Sequence, residues 1–271
     1  MNEISVNIKD IICKLSWSNI PELIKYANIQ IVKFKTASFM QTWENSNSYM
    51  VNNVLSFIPD IDRTKVKKII SVGSGIATTE LLLLQYFNNA EIFLIDKSEI
   101  TNPELLIDGN LTPEIYRDRD DPRGSRGFYN SWDVVKDAIQ SSNLDQTKIH
   151  FLDPSDDWPD DVDLIISSYS WCWNYNKEVY WDRAINSLKV GGLLIVDIYR
   201  LLEKDVAQEI TDQLGSDPFK VKLMNVKNNP ITGLKAKLKP GELQPKDYFI
   251  QFFNLDENKV YGGRYSWIRK K

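Results

Sequence analysis

Two glycines and one aspartate are the residues whose types and spacing point most directly to chemistry. Gly73-Ser74-Gly75 follows the apolar run Lys68-Ile69-Ile70-Ser71-Val72 and precedes a helical pattern, an order that reads as strand, tight turn and helix start. Glycines permit the turn and let a ligand approach the backbone amides closely. A second apolar run, Glu91-Ile92-Phe93-Leu94-Ile95, ends in Asp96, whose carboxylate can accept hydrogen bonds from ribose hydroxyls. The chemistry implied is nucleotide recognition. A dinucleotide site would read Gly-x-Gly-x-x-Gly, but Thr78 stands at the sixth position and breaks that fingerprint.

A second cluster is Tyr169-Ser170-Trp171-Cys172-Trp173-Asn174-Tyr175, four aromatics in seven residues directly after an apolar run. Flat rings offer stacking area with little rotamer entropy to lose, which suits a sugar or planar acceptor. Trp171, Trp173 and Tyr175 are therefore candidate substrate contacts; the competing reading uses the same rings to pack helices onto a sheet. The single histidine, His150, falls inside a strand pattern, before its ligand-facing end, and reads as a buried structural residue. Cys172 has no basic neighbour in sequence and reads as a small buried residue. With Cys13 it makes neither metal spacing nor a disulfide framework. No metal is expected, since Asp118, Asp120 and Asp121 alternate with Arg117, Arg119 and Arg123 and paired charges account for them.

These residues need a scaffold. From Val66 onward strands and helices alternate, which calls for a parallel sheet covered on both faces. The pattern predicts strands at 67–72, 91–95, 148–152, 162–168 and 192–198, and helices at 77–87, 131–142, 178–188 and 203–214. Gly191-Gly192 reads as a helix stop feeding the last of those strands. Ahead of the sheet, residues 8–58 read as helices, with Ile8, Ile11, Ile12 and Leu15 at helical spacing and Pro21 in a first turn. The connection 97–147 is long and, between Tyr116 and Gly124, dense in charge; a substrate-side loop and a self-paired surface insertion both fit it. Three extended segments follow near 219–226, 247–254 and 260–268. The expected organisation is a helical cap over 1–62 and an α/β domain over 63–271, interrupted by the insertion.

With the glycine loop, Asp96 and the later run Val190-Gly191-Gly192-Leu193-Leu194, residues 66 to 200 resemble the class I S-adenosylmethionine-dependent methyltransferases. The resemblance implies a Rossmann-like, seven-stranded and mostly parallel sheet behind an N-terminal helical cap, with S-adenosylmethionine as cofactor. By position it assigns Gly73, Ser74 and Gly75 to the cofactor loop and Asp96 to the ribose. It places Asp153 near the adenine edge, and Ser167 and Ser168 at the strand end that faces cofactor and acceptor. Two positions depart from the family pattern: Ser71 stands where an acid is usual, and Ala77 where a third glycine is common. The missing acid removes a contact to the cofactor's amino group, which Glu80 or a cap residue would have to replace. The sulfonium brings its own activated methyl group, so the protein's task is to align an acceptor and exclude water. An oxygen acceptor also loses a proton, and Tyr169, Asp197 and Tyr199 at the strand ends are the candidate bases. Each has an alternative as a hydrogen-bonded strand-end residue.

The remaining composition bounds the partners. The 271 residues are 42% hydrophobic and 26% charged, ordinary globular proportions. No apolar run approaches the roughly 20 residues that span a bilayer, and the first ten residues lack a signal-peptide pattern, so a cytoplasmic protein without a membrane partner is expected. Net charge is −4, yet residues 219–271 carry twelve Lys and Arg against four Asp and Glu, leaving −12 for the rest. Lys220, Lys222, Lys235, Lys237 and Lys239 recur with period two, the pattern of a solvated strand face, so nucleic acid is not the expected partner. The expected activity is methylation of a small polar acceptor, on oxygen of a sugar or similar metabolite. A methyltransferase-like binding protein without catalysis and a nucleic-acid methyltransferase are the alternatives.

Overall fold

Alternation of apolar residues to two opposite sides decides the architecture. In the middle strands Ile69, Leu164, Ile166, Leu193 and Ile195 enter one buried core, while their neighbours Ile70, Val72, Ile165, Leu194 and Val196 enter a second. A strand apolar on both faces must be covered on both. The computed structural model describes residues 2–26, 36–97, 99–100, 130–168, 170–172, 177–198, 203–215, 220–225 and 260–269. Along the chain run β1 (Glu3–Ile8), β2 (Ile11–Ser16), α1 (Ile20–Tyr26), α2 (Thr36–Leu55), β3 (Lys68–Val72), α3 (Thr78–Tyr86) and β4 (Glu91–Ile95). They are followed by β5 (Glu99–Ile100), β6 (Asn130–Ser131), α4 (Trp132–Ser141), β7 (Ile149–Leu152), β8 (Val162–Ser167), α5 (Trp181–Ser187) and β9 (Leu188–Ile198). Last come α6 (Glu203–Leu214), β10 (Lys220–Asn225) and β11 (Val260–Ile268).

Seven strands form the central sheet in the order β10-β11-β9-β8-β3-β4-β7. Pairings within β9-β8-β3-β4-β7 are parallel, and β11 alone runs against its neighbours. The seven-stranded, mostly parallel sheet that the resemblance implied is thus present. The chain moves outward from β3 through β4 to β7, then returns to the other side of β3 as β8 and β9. The order therefore reverses between β3 and β8, and ligands of open α/β sheets bind at such a reversal, beyond the carboxyl ends of the strands.

The segment ahead of the sheet differs from expectation. The helical cap is present as α1 and α2, but residues 3–16 form an antiparallel hairpin, with Ile8 opposite Ile11. Ile4, Val6, Ile8, Cys13 and Leu15 are buried while Ile12 is 65% exposed, so the apolar period is two and not 3.6. The turn between them, Lys9-Asp10, places Lys9 at φ 52° without the Asn or Gly that usually signals a two-residue loop. Gln85 of α3 secures the hairpin's edge: Lys14 N–H donates to its Oε1 at 3.0 Å, and its Nε2 donates to the Lys14 carbonyl at 2.8 Å. The hairpin and α2 thus lie on α3, which explains why Leu81 through Leu84 are all buried.

Two smaller expectations are corrected. β9 begins at Leu188, so Gly191-Gly192 sits inside the strand, at an irregularity of its pairing with β8, and not at a helix stop. His150 belongs to the edge strand β7 and is not buried; its ring stacks on Phe93 at 4.4 Å and its Nε2 meets Glu91 Oε2 at 3.1 Å. The segment 247–254 and the charge-dense part of the insertion, 101–129, lie outside the described residues.

Candidate functional site

Gly73 begins the loop at the carboxyl end of β3, with φ 71°, and Gly75 follows at φ 55°. Both values favour glycine. Space makes the same demand at Gly73, where a Cβ would lie 1.8 Å from Ser170 Oγ and 2.3 Å from Ser170 Cβ. The loops after β3 and β8 therefore touch across the point where strand order reverses. Ser167 closes the seam: its buried hydroxyl donates to the Val72 carbonyl at 3.0 Å and accepts from Trp171 N–H at 2.9 Å. Ala77, in the place of a third glycine, adopts left-handed backbone (φ 50°, ψ 23°) at the start of α3.

Asp96 stands just past β4 with one oxygen turned to the glycine loop and the other to the backbone that follows it. Gly75 N–H donates to Oδ2 and Lys97 N–H to Oδ1, each at 2.8 Å. A carboxylate has about four lone-pair directions, so sites remain for a diol. Burial pushes Asp96 up to about 6, against the two amides and the Lys97 ammonium, which favour the charged form. Its side chain still keeps partial solvent exposure. Lys97 Nζ reaches Asp153 Oδ2 at 3.4 Å, linking the ends of β4 and β7. Burial raises the Asp153 carboxyl, but hydrogen bonds from the Ser155 amide and hydroxyl and the Lys97 charge outweigh it and leave it below the usual range.

Beneath the loop lies a group that the sequence pattern had only suggested. Ser71 Oγ donates to Glu80 Oε1 at 2.9 Å, and Glu80 is 6% exposed. Burial raises Glu80 to about 7, opposed by its own backbone N–H and the Ser71 hydroxyl and reinforced by the Asp96 charge. Glu80, in the first turn of α3, thus lies directly against the Ser71 position of β3. Two hydroxyls of the same loop and helix start, Ser74 Oγ and Thr78 Oγ1, are buried without a hydrogen-bond partner among the described residues. Orphaned buried hydroxyls are costly, and a polar ligand or a water at the loop would satisfy them.

On the other side of the reversal, Asp197 and Arg264 face each other across β9 and β11. Arg264 Nε donates to Oδ1 at 2.6 Å and Nη2 to Oδ2 at 2.7 Å, with the arginine 1% and the aspartate 0% exposed. Nη2 also donates to Ser168 Oγ at 3.1 Å, fixing the end of β8. Asp197 is therefore half of a buried ion pair and is not a carboxylate open to an acceptor. The cap reaches this edge as well. Tyr49 of α2 is raised by burial, with Arg264 lowering and Asp197 raising it, and Asn47 Oδ1 accepts from Thr79 Oγ1 at 3.3 Å. α2 thus spans from the start of α3 to the Asp197–Arg264 pair.

Trp171 is corrected. It is fully buried, donates from Nε1 to the Lys177 carbonyl at 2.9 Å, and meets Tyr180 edge-on, so it packs the core and offers no stacking face. Cys172, buried at φ 60°, turns the chain there. Tyr169, Trp173, Tyr175 and Tyr199 lie outside the described residues. The residues brought together are Gly73, Ser74, Gly75, Asp96, Asp153, Ser167 and Ser168. Arg264 and Tyr49 join them and carried no local signal, since each arrives from a distant element. A separate hollow of about 320 Å³ between α4 and the turn before α1 is a different feature. Its Asp137 accepts from Ser18, Asn19 and Ser141 and ties α4 to the turn before α1.

No protein-family model matches the chain, and no curated protein matches it. Several solved structures are similar. The O-MT segment of StiE aligns at TM-score 0.49 and 12% identity, covering 94% of this chain and 86% of that one. The O-methyltransferase of a trans-AT PKS multienzyme of Brevibacillus brevis, in complex with S-adenosyl-L-homocysteine, aligns at TM-score 0.47 and 12% identity, covering 98% and 82%. A putative sarcosine dimethylglycine methyltransferase from Galdieria sulphuraria aligns at TM-score 0.44 and 10% identity, covering 89% and 91%.

Proposed function

We propose that this chain is an S-adenosylmethionine-dependent methyltransferase acting on a small polar acceptor, with oxygen of a sugar or similar metabolite as the methylated atom. The observation that carries the reading is the loop Gly73–Thr78: two glycines held at positive φ, two orphaned buried hydroxyls, and the Asp96 carboxylate across from them. That donor and acceptor set fits an adenosyl amino acid, with Asp96 for the ribose and Asp153 beside Lys97 for the base edge. When bound, the cofactor supplies a methyl group already activated as a sulfonium.

The chain's own residues then bind, align and exclude water. Ser167 ties the glycine loop to the β8 turn, and Arg264 holds Ser168 at the crevice margin. α2 reaches from Thr79, through Asn47, to the Asp197–Arg264 pair, through Tyr49, and would help keep water from the reacting atoms. With Asp197 committed to Arg264, Tyr169 and Tyr199 are the base candidates we retain, and Trp173 and Tyr175 the acceptor contacts. Incubation with methyl-labelled S-adenosylmethionine and separate panels of sugars, glycosylated metabolites and oligonucleotides tests this. Label appearing in a sugar-containing product supports it. Label confined to oligonucleotides refutes the small-acceptor assignment, and no transfer by a chain that binds the cofactor favours a binding protein without catalysis.

A further inference from the structure

We infer that the crevice selects an uncharged acceptor, one that offers a hydroxyl or carbonyl oxygen near the methylated atom, and that Arg264 sets this selection by holding Ser168 while Asp197 neutralises its charge. This rests on the methyltransferase reading above and narrows its acceptor class. Ile166 of β8 and Ile195 of β9 share a core with Val51 and Val54 of α2, so the α2 side of the sheet is apolar at their level. Continuing the register by two residues sets Gly73, Ser168, Asp197 and Arg264 in one row over β3, β8, β9 and β11. The face turns polar there, at the carboxyl ends of the parallel strands, where ligands of open α/β sheets rest.

The glycine loop holds one end of this row and the ion pair the other, with Ser168 between them. Arg264 reaches from β11 past β9 to β8, where Nη2 donates to Ser168 Oγ at 3.1 Å. That hydroxyl is half-buried, and its own O–H donates to nothing among the described residues. Accepting from a charged guanidinium polarises the O–H and strengthens it as a donor. The lone pair of a hydroxyl or carbonyl oxygen suits such a donor.

A carboxylate or phosphate offers lone pairs too, so charge decides between the classes. Asp197 already matches the Arg264 charge, at 2.6 and 2.7 Å. Lys97, the cation on the cofactor side, is engaged by Asp153 at 3.4 Å. Asp96 and Glu80 add carboxyl groups, and α2 contributes the uncharged Asn47 and Tyr49. Among the described residues of the crevice, each cation thus has its carboxylate. An acidic acceptor would lose its hydration there and meet like charge, with no counter-ion in return.

Isothermal titration of the full chain saturated with S-adenosylhomocysteine tests this, using methyl hexopyranosides and the matching uronic acids as neutral and acidic twins. Transfer of labelled methyl from S-adenosylmethionine to the same probes runs beside it. We expect wild type to prefer the neutral twin by about tenfold or more. Asp197→Asn leaves the guanidinium without its counter-charge, and the ratio of acidic to neutral binding should rise by about tenfold or more, a change that lost stability alone would not produce. Wild type that takes S-adenosylhomocysteine but binds the acid equally well or better, or binds no neutral probe, overturns the inference and leaves the cofactor assignment standing. A ratio that Asp197→Asn does not move overturns the role of Arg264. Folded wild type that does not take S-adenosylhomocysteine overturns the methyltransferase reading as well. Should Asp197→Asn fail to fold, Ser168→Ala carries the test: we expect about two- to tenfold weaker binding of the neutral twin, and no change there also overturns the inference.

Discussion

The buried pair Asp197–Arg264 can be separated from its surroundings by a double-mutant cycle. Two charges lie 2.6 and 2.7 Å apart through a guanidinium fork, with neither side chain more than 1% exposed. Coulomb attraction in such a place is large, but so is the desolvation of both ions, and the two nearly cancel in the intact pair. Removing one partner breaks that balance, because the other stays buried without its counter-charge. We expect Asp197→Asn and Arg264→Met each to lower unfolding free energy by about 3–5 kcal/mol. At about 2–4 °C per kcal/mol for a large domain, that is a fall in Tm on the order of 10 °C. The double variant should be no less stable than the worse single, giving a coupling of at least about 3 kcal/mol. Urea unfolding followed by tryptophan fluorescence, with thermal melts beside it, measures all four corners. Single losses under about 1 kcal/mol, the scale of solvent-exposed pairs, would refute the reasoning, as would losses that simply add.

Three further outcomes are expected. Gly73→Ala should destabilise the chain through both its φ of 71° and the clash with Ser170, and Gly73→Ala/Ser170→Gly should restore the steric part while retaining about 1–2 kcal/mol from the left-handed backbone; a single variant that melts like wild type contradicts this. Ala77→Gly should be neutral or stabilising by up to about 1 kcal/mol, although glycine for alanine inside a helix normally costs about that much, because Ala77 is held at φ 50°; a clear drop in Tm counts against the left-handed start of α3. The ligand-free protein should lose stability as pH rises from about 4.5 to about 7, because the folded state holds the Glu80 proton to higher pH than the unfolded chain does. That loss is on the order of 2–3 kcal/mol from Glu80, and Glu80→Gln should keep only the share of Asp96, also raised by burial, which is complete near pH 6, whereas denaturant titrations of the two proteins that run parallel up to pH 7 refute it.

Much of the sheet is legible in sequence because strands buried on both faces are continuous apolar runs, as in Ile69–Ile70 and Ile165–Ile166. The hairpin is not, for two physical reasons. Its turn, Lys9-Asp10, has neither glycine nor asparagine, and the isoleucines at 8, 11 and 12 imitate a helical stripe even though Ile12 faces solvent. Trp171 was readable as aromatic, with packing and acceptor stacking both open, and its contacts with Tyr180 and the Lys177 carbonyl decide for packing. Asp197 looked available until β11 brought Arg264 opposite it from 67 residues away, a register that no local pattern encodes. Glu80 carried a usable signal: an acid at the head of Leu81-Leu82-Leu83-Leu84, in a helix apolar all round, has nowhere to point but inward.

The central claim is that the crevice between β3 and β8 holds S-adenosylmethionine, with Asp96 on the ribose. Isothermal titration of wild type and Asp96→Ala with S-adenosylmethionine tests it most directly, with a thermal melt of both proteins alongside. We expect micromolar binding by wild type and a loss of about tenfold or more in the folded variant, since each oxygen of Asp96 is presented by a backbone amide at 2.8 Å. Folded wild type that does not bind, or an Asp96→Ala variant that binds equally well, contradicts the claim.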